Sequence, residues 1–142
     1  MSPLQLFVPG IPAAQGSKRH VGRGVMIESS KRLRPWRATV TAAIVEAGWH
    51  HDPVLAGPVA VSLMFYFPRP RAHYGTGRNA NRLKDSAPLW HDKRPDVDKL
   101  ARAVLDAITE SGTLRDDCQV VALSARKRYG PPGVAITLGE DL

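Results

Sequence analysis

Cysteine is nearly absent: Cys118 stands alone in 142 residues, so no intrachain disulfide can form, and without a Cys-x-x-Cys pair the chain has neither the zinc-ribbon nor the dithiol redox pattern. Long apolar runs are missing too. None approaches the ~20 residues that a membrane-spanning helix requires, and Met1 to Gly16 carries no basic segment ahead of an apolar core. These absences fit a protein of a reducing cytoplasm with no membrane partner. The histidines, His20, His50, His51, His73 and His91, show neither HExxH nor zinc-finger spacing. No serine or cysteine sits in a nucleophile elbow. The basic turn Gln15-Gly16-Ser17-Lys18-Arg19 is not a Walker loop, because the spacing from Gly10 and the Ser-Lys order are both wrong for one.

Acidic side chains are outnumbered, 13 Asp/Glu against 20 Lys/Arg, and the imbalance is local. Residues 1–94 hold 14 Lys/Arg and 5 Asp/Glu, whereas residues 95–142 hold 6 and 8. A basic first two-thirds with a pI of about 10.1 is the electrostatic footprint of a polyanion-binding surface. Candidate phosphate contacts are Lys18 and Arg19 in the first basic turn, Lys31, Arg32, Arg34 and Arg37 at the entry of a helix, and Lys93, Arg94 and Lys99 further on. From Pro68 to Arg94 run 27 residues with three prolines, seven Lys/Arg and no periodicity. Loops of that length are functional or disordered. As a gripping flap this one offers Arg69, Arg71, Arg78, Arg82 and Lys84 to phosphates and Tyr74 or Trp90 to a base; as a disordered insertion it offers nothing.

Periodicity supplies the scaffold. Leu4 to Val8 alternates as a strand, and Val59 to Phe67 is apolar enough for a central one. Val21 to Glu28 reads as an irregular hairpin. A helix capped by Ser29 or Ser30, regular from about Arg34 towards Gly48, carries Trp36, Val40, Ala43 and Ile44 as one stripe, with Trp36 facing the core. A second helix after Pro95 aligns Val97, Leu100, Ala101, Val104, Leu105 and Ile108 and stops at Ser111-Gly112. Gln119 to Lys127 and Val134 to Leu138 follow as strands about a Gly130–Gly133 turn, in an expected hairpin. Cys118 is expected in the core. The sum is an α+β domain over 1–142, a small mixed sheet packed by two main helices.

Four carboxylates flank the second helix: Asp96 and Asp98 at its start, Asp116 and Asp117 beyond its end. With only a helix and a tight turn between them, the two pairs are expected to come close. Carboxylates so gathered repel and raise one another's pKa unless a cation sits among them. Mg²⁺ suits them, being held by one or two carboxylates together with a substrate phosphate. Asp at a helix start is also ordinary capping, and Asp116-Asp117 also reads as a polar turn. On these residues alone, a metal-dependent nuclease and a non-catalytic DNA-binding protein with structural aspartates both stand, and an RNA-processing factor would use the same basic surface. Asp106, on the polar face, reads as solvated or ion-paired.

Arg94-Pro95-Asp96-Val97-Asp98-Lys99-Leu100, then Val104 to Ile108, then Asp116-Asp117-Cys118-Gln119-Val120, resemble the signature of RusA-type Holliday junction resolvases. The Gln-Gly-Ser-Lys-Arg, Glu-Ser-Ser-Lys and Pro-Trp-Arg segments are similar to that family's actinobacterial and phage branch. The resemblance implies a RusA-like homodimer that binds four-way DNA junctions and cuts paired phosphodiesters with Mg²⁺, for which Mn²⁺ substitutes. It assigns metal binding to Asp96, Asp98 and Asp117, with Asp116 beside them. It places Arg102 where the best-known member has an essential lysine and Lys99 where that member has an asparagine. Arg102 keeps the positive charge but cannot serve as a proton donor. These motifs leave the 68–94 loop uncovered.

Overall fold

The computed structural model describes residues 3–16, 18–20, 26–28, 31–51 and 53–140. In chain order its main elements are β1 (Leu4–Pro9), β2 (Lys18–His20), β3 (Met26–Glu28), α1 (Leu33–Glu46), β4 (Val59–Phe67), α2 (Val97–Glu110), β5 (Val120–Tyr129) and β6 (Gly133–Gly139). Four strands form one mixed sheet in the order β1-β6-β4-β5, while β2 and β3 pair as a separate antiparallel ribbon. The Ser29/Ser30 cap and Ser17 fall outside the described residues, as do the side chains of Lys18 and Arg19.

β4 lies between two neighbours, as its apolarity requires, but only one of its faces is sealed. Val59, Val61, Leu63, Phe65 and Phe67 are buried, whereas Ser62 on the opposite face is exposed. The sealed face meets Val134, Ile136 and Leu138 of β6 and Val8 of β1. Over it lie Trp36, Val40 and Ile44 of α1 and Leu100, Val104, Ala107 and Ile108 of α2. Trp36 is 5% exposed, so this aromatic serves the core. α2 ends where Gly112 takes a φ of 84°, a conformation that side-chain-bearing residues avoid.

Two expectations are corrected. β5 and β6 do not form a hairpin: β6 pairs antiparallel with both β1 and β4, and β5 runs parallel to β4 on its other side. The Gly130–Gly133 link therefore crosses the end of β4, where the Gly130 amide donates to Phe67 O at 2.9 Å. A tight hairpin would have left the most apolar strand with one neighbour. Gly133 is required at this crossing, because a Cβ there would sit 2.5 Å from Val8 O. Cys118 is exposed rather than core, since it lies in the turn of Asp117–Gln119 ahead of β5.

The 68–94 segment is folded. Turns of 3-10 type occupy Arg71–His73 and Gly77–Asn79, and Tyr74 bridges to Leu83. Its end lies along β5, where the His91 amide donates to Lys127 O and the Tyr129 amide to Leu89 O. The disordered-insertion reading is thereby excluded.

Phe65 is fully buried at the centre of the sheet. Phe65→Ala is expected to cost about 3–5 kcal/mol, measured by urea denaturation, through lost transfer energy and the cavity left behind.

Candidate active site

At the N-terminal end of α2 the chain presents an acid inside a basic rim. Asp96 is the N-cap residue, with extended backbone and no capping hydrogen bond from its side chain, so its carboxylate oxygens remain available. Lys99 Nζ lies 3.8 Å from Asp96 Oδ2. Asp98 follows in the first turn, exposed, where the helix dipole favours negative charge. Arg32, from the entry of α1, and Arg94, Asp96 and Lys99 line one cleft of about 710 Å³, with Phe67 and His91 also in its wall. The Gln15 amide donates to Lys99 O at 3.1 Å, tying the segment after β1 to α2.

At the other end of α2 the second acidic pair has different surroundings. Asp116 Oδ1 accepts from the Cys118 amide at 3.0 Å, and Gln119 Oε1 accepts from the Arg115 amide at 2.6 Å and the Asp116 amide at 3.4 Å, a capping box. Gln119 Nε2 anchors this turn to Leu55 O and Gly57 O. Asp117 Oδ1 accepts from Thr109 Oγ1 at 2.8 Å, which fixes it beside the last turn of the helix. Burial, and next the Asp117 charge, push the Asp106 carboxyl up, and Arg37 works against them. The Asp116 charge pushes the Cys118 thiol up, leaving it a poor nucleophile.

The two acidic pairs therefore do not converge within one chain. Asp98 and Thr109 are eleven residues apart on one helix, a rise of about 16 Å. Among the described residues no three His, Cys, Asp or Glu side chains are grouped closely enough to hold a metal. The expectation of closeness fails because α2 is a rod seated in the core, with one pair at each end. Each end nonetheless carries the donor chemistry of a hard cation: carboxylate oxygens only, exposed, and in a number that Mg²⁺ accepts alongside a phosphate.

The remaining candidates divide. Arg32, Arg94 and Lys99 meet Asp96 in the cleft; Lys31 and Arg34 are exposed beside Arg32, and Arg71 and Lys93 are exposed in and after the loop. Arg102 is exposed on the same helix row as Asp98 and Asp106. Arg37 turns inward to Glu110 at 3.3 Å and Asp106 at 3.8 Å, so it braces α1 on α2 rather than facing solvent. Arg69 donates to Pro88 O at 2.7 Å and lies over the Tyr129 ring, bracing the loop. Two residues escaped the sequence reading. His91 is buried, stacked on Phe67 at 4.2 Å, and Lys127 Nζ donates to Lys93 O at 2.5 Å and Pro95 O at 2.7 Å. The signal for Lys127 was its parity: with Leu123, Ala125 and Tyr129 it lies on the strand face that β4 fills with buried residues.

Carboxylates at the ends of a helix among arginines and lysines, on a basic α+β domain, are the groups that metal-assisted hydrolysis of a nucleic-acid phosphodiester calls for. The family model described as Endodeoxyribonuclease RusA matches residues 9–139, which includes the 68–94 loop, and the chain belongs to that family. It is an endodeoxyribonuclease, a hydrolase of DNA phosphodiester bonds, in a family that resolves Holliday junctions, binds branched DNA and generally depends on a divalent metal. No curated protein matches it. No helix among the described residues is long and apolar enough to cross a membrane.

Burial, then the charge of Lys127, hold the His91 imidazole below its ordinary pKa. A histidine kept neutral by folding contributes stability that is present above its unfolded pKa and lost as pH falls below it towards the folded value. Thermal stability is expected to fall between roughly pH 7 and pH 5, and His91→Phe is expected to flatten that part of the melting-temperature profile.

Proposed function

We propose that the chain is a Mg²⁺-dependent, structure-selective endonuclease that resolves four-way DNA junctions in recombination and repair, in the cytoplasm, as a homodimer whose copies share their metal sites. Asp96 and Asp98 of one copy face Asp117 of the partner subunit, and Mn²⁺ serves in place of Mg²⁺. The observation that carries this reading is the placement of the two acidic pairs at opposite ends of one rigid helix. A two-fold axis reverses the second copy, so the end that holds Asp117 meets the end that holds Asp96.

The sheet offers an edge for such pairing. β5 pairs with β4 on one side, and on the other, among the described residues, only its last residues are bonded, to the 89–91 segment. Val121 and Leu123 on this strand are 56% and 48% exposed, and Leu89 and Trp90 are exposed near its far end. An open, apolar edge strand invites another strand. Antiparallel pairing of two β5 strands reverses α2 as well, because Asp117 precedes β5 while Lys127, near its end, contacts Pro95.

A bound divalent ion supplies Lewis-acid polarisation of the scissile phosphate and activation of water. The chain supplies the rest. Arg32, Arg94 and Lys99 neutralise phosphates around Asp96, Lys31, Arg34 and Lys93 extend that surface, and the 68–94 loop adds Arg71, Arg78, Arg82 and Lys84. Arg102, always protonated, stabilises charge electrostatically without giving up a proton. The non-catalytic alternative draws support at Asp116 alone, whose side chain is a helical cap.

Incubation with a synthetic four-way junction and a linear duplex, with and without Mg²⁺, tests the activity, and structured RNA as competitor tests the substrate. Cutting of the junction alone and with metal alone is expected; equal cutting of both DNAs, or metal-free cutting, defeats the reading. Asp96→Asn and Asp117→Asn should each abolish cleavage and leave junction binding intact or tighter, since a carboxylate–phosphate repulsion is removed. Mixed together, the two inactive variants should regain about a quarter of the wild-type sites, because half of randomly paired dimers are mixed and each has one intact site. A mixture that stays inactive, although exchange of subunits is verified, shows the site to be complete within one chain.

A further inference from the structure

Lys127 occupies a position that a lysine rarely fills. It pairs with Phe65, which is fully buried, on the sheet face that packs the helices. It is half-buried there, and burial lowers the pKa of its ammonium, offset by Asp96 and Asp92. The ammonium also sits near the N-terminal end of α2, where the helix dipole repels a cation. Burial and dipole both disfavour a charge there, so its partners must compensate. They are the carbonyls of Lys93 and Pro95, at 2.5 and 2.7 Å, which flank Arg94 and immediately precede Asp96. Two carbonyls of one short segment, gripped by one point charge, leave that segment little freedom to turn. The next residue is the Asp96 cap and the next but one after it is Asp98.

We propose that Lys127 is a positioning residue for the acidic pair at the head of α2. Its ammonium, bound to the carbonyls of Lys93 and Pro95, fixes segment 93–98 so that Asp96 and Asp98 meet a divalent cation in one arrangement. A compact ammonium with three donors fits between two carbonyls; the planar guanidinium of arginine matches a fork instead. The role rests on Asp96 and Asp98 being metal-holding groups. Groups that orient metal ligands from behind change affinity without touching the ion.

The test uses the full chain with Lys127→Met and Lys127→Arg, Mn²⁺ affinity measured by calorimetry on metal-free protein, and amide hydrogen exchange read by residue. Lys127→Met is expected to weaken Mn²⁺ binding about 10- to 100-fold and to speed exchange of the Leu100 amide, which donates to Asp96 O, while protection in β4 and α1 holds. Lys127→Arg, which keeps charge and donors, is expected to recover part of the affinity. Wild-type Mn²⁺ affinity in Lys127→Met overturns the proposal, and so does loss of protection throughout β4 and α1 in both variants, which would make Lys127 a general staple of the fold. Asp96→Asn separates the two levels. If it leaves Mn²⁺ affinity unchanged, the metal-holding role of Asp96 fails; if it weakens binding and Lys127→Met does not, the positioning role alone fails.

Discussion

α2 cannot bring its own ends together, and the organisation of the protein follows from that stiffness. Its inner face, Leu100, Val104, Ala107 and Ile108, is locked under α1 and over the sheet. Its outer row presents Asp98, Arg102, Asp106 and Thr109 in succession. Fourteen helical residues measure about 21 Å, several times the span of one cation's coordination shell. Each end is then fixed by separate devices. Lys127 and the Gln15 amide hold the head of the helix, whereas the Gln119 box and the Thr109 hydroxyl hold the chain at its tail. The chain thus fixes an acidic pair at each end of one helix, and in the proposed dimer a second copy joins them.

The charge distribution supports the same division. Arg37 could have added to the phosphate-facing surface at the entry of α1, but Asp106 and Glu110 hold it against α2. Arg69 is likewise turned to a carbonyl and a tyrosine ring. Arg32 and Arg94 line the cleft beside Asp96, with Lys99 ion-paired to that acid, and arginines of the loop are exposed. An acid set among these cations keeps a local anionic point within a broadly attractive field. Cations outnumber acids over residues 1–94, so the net field a polyanion meets is basic, within a screening length of about 8 Å at physiological salt.

Much of this was legible in the residues. Both helices, the central strand, the inward Trp36 and the break at Gly112 follow from periodicity and from the chemistry of glycine. The partner of β6 was not legible, because adjacency in sequence suggests a hairpin while the apolar β4 competes for two neighbours, a tertiary demand that no local window contains. The separation of the acidic pairs was misread for a related reason. Asp98 and Asp116 are close along the chain, yet the intervening residues are mostly helix, and a helix converts sequence separation into distance. Cys118 followed the rule that free cysteines are buried, but the capping box of Asp116 and Gln119 turns the chain outward there. Lys127 was visible in principle, as a charge at an inward strand position, and was passed over because the strand was read only for its apolar residues.

Two further cations near the acids, Arg102 and Lys127, take different work. Arg102 lies on the exposed row, free to face a phosphate, but a guanidinium does not release its proton. Lys127 has an ammonium that titrates, yet two backbone carbonyls occupy it beneath the head of α2. Neither is placed to protonate a leaving oxygen. Where, by the resemblance, the family's best-known member has an essential lysine, this chain carries Arg102, which keeps the charge at the surface without a proton it can give. Of the cations beside the acids, Arg102 can offer a leaving oxygen only its positive field, whereas Lys99, its ammonium 3.8 Å from Asp96, carries a proton that can in principle move.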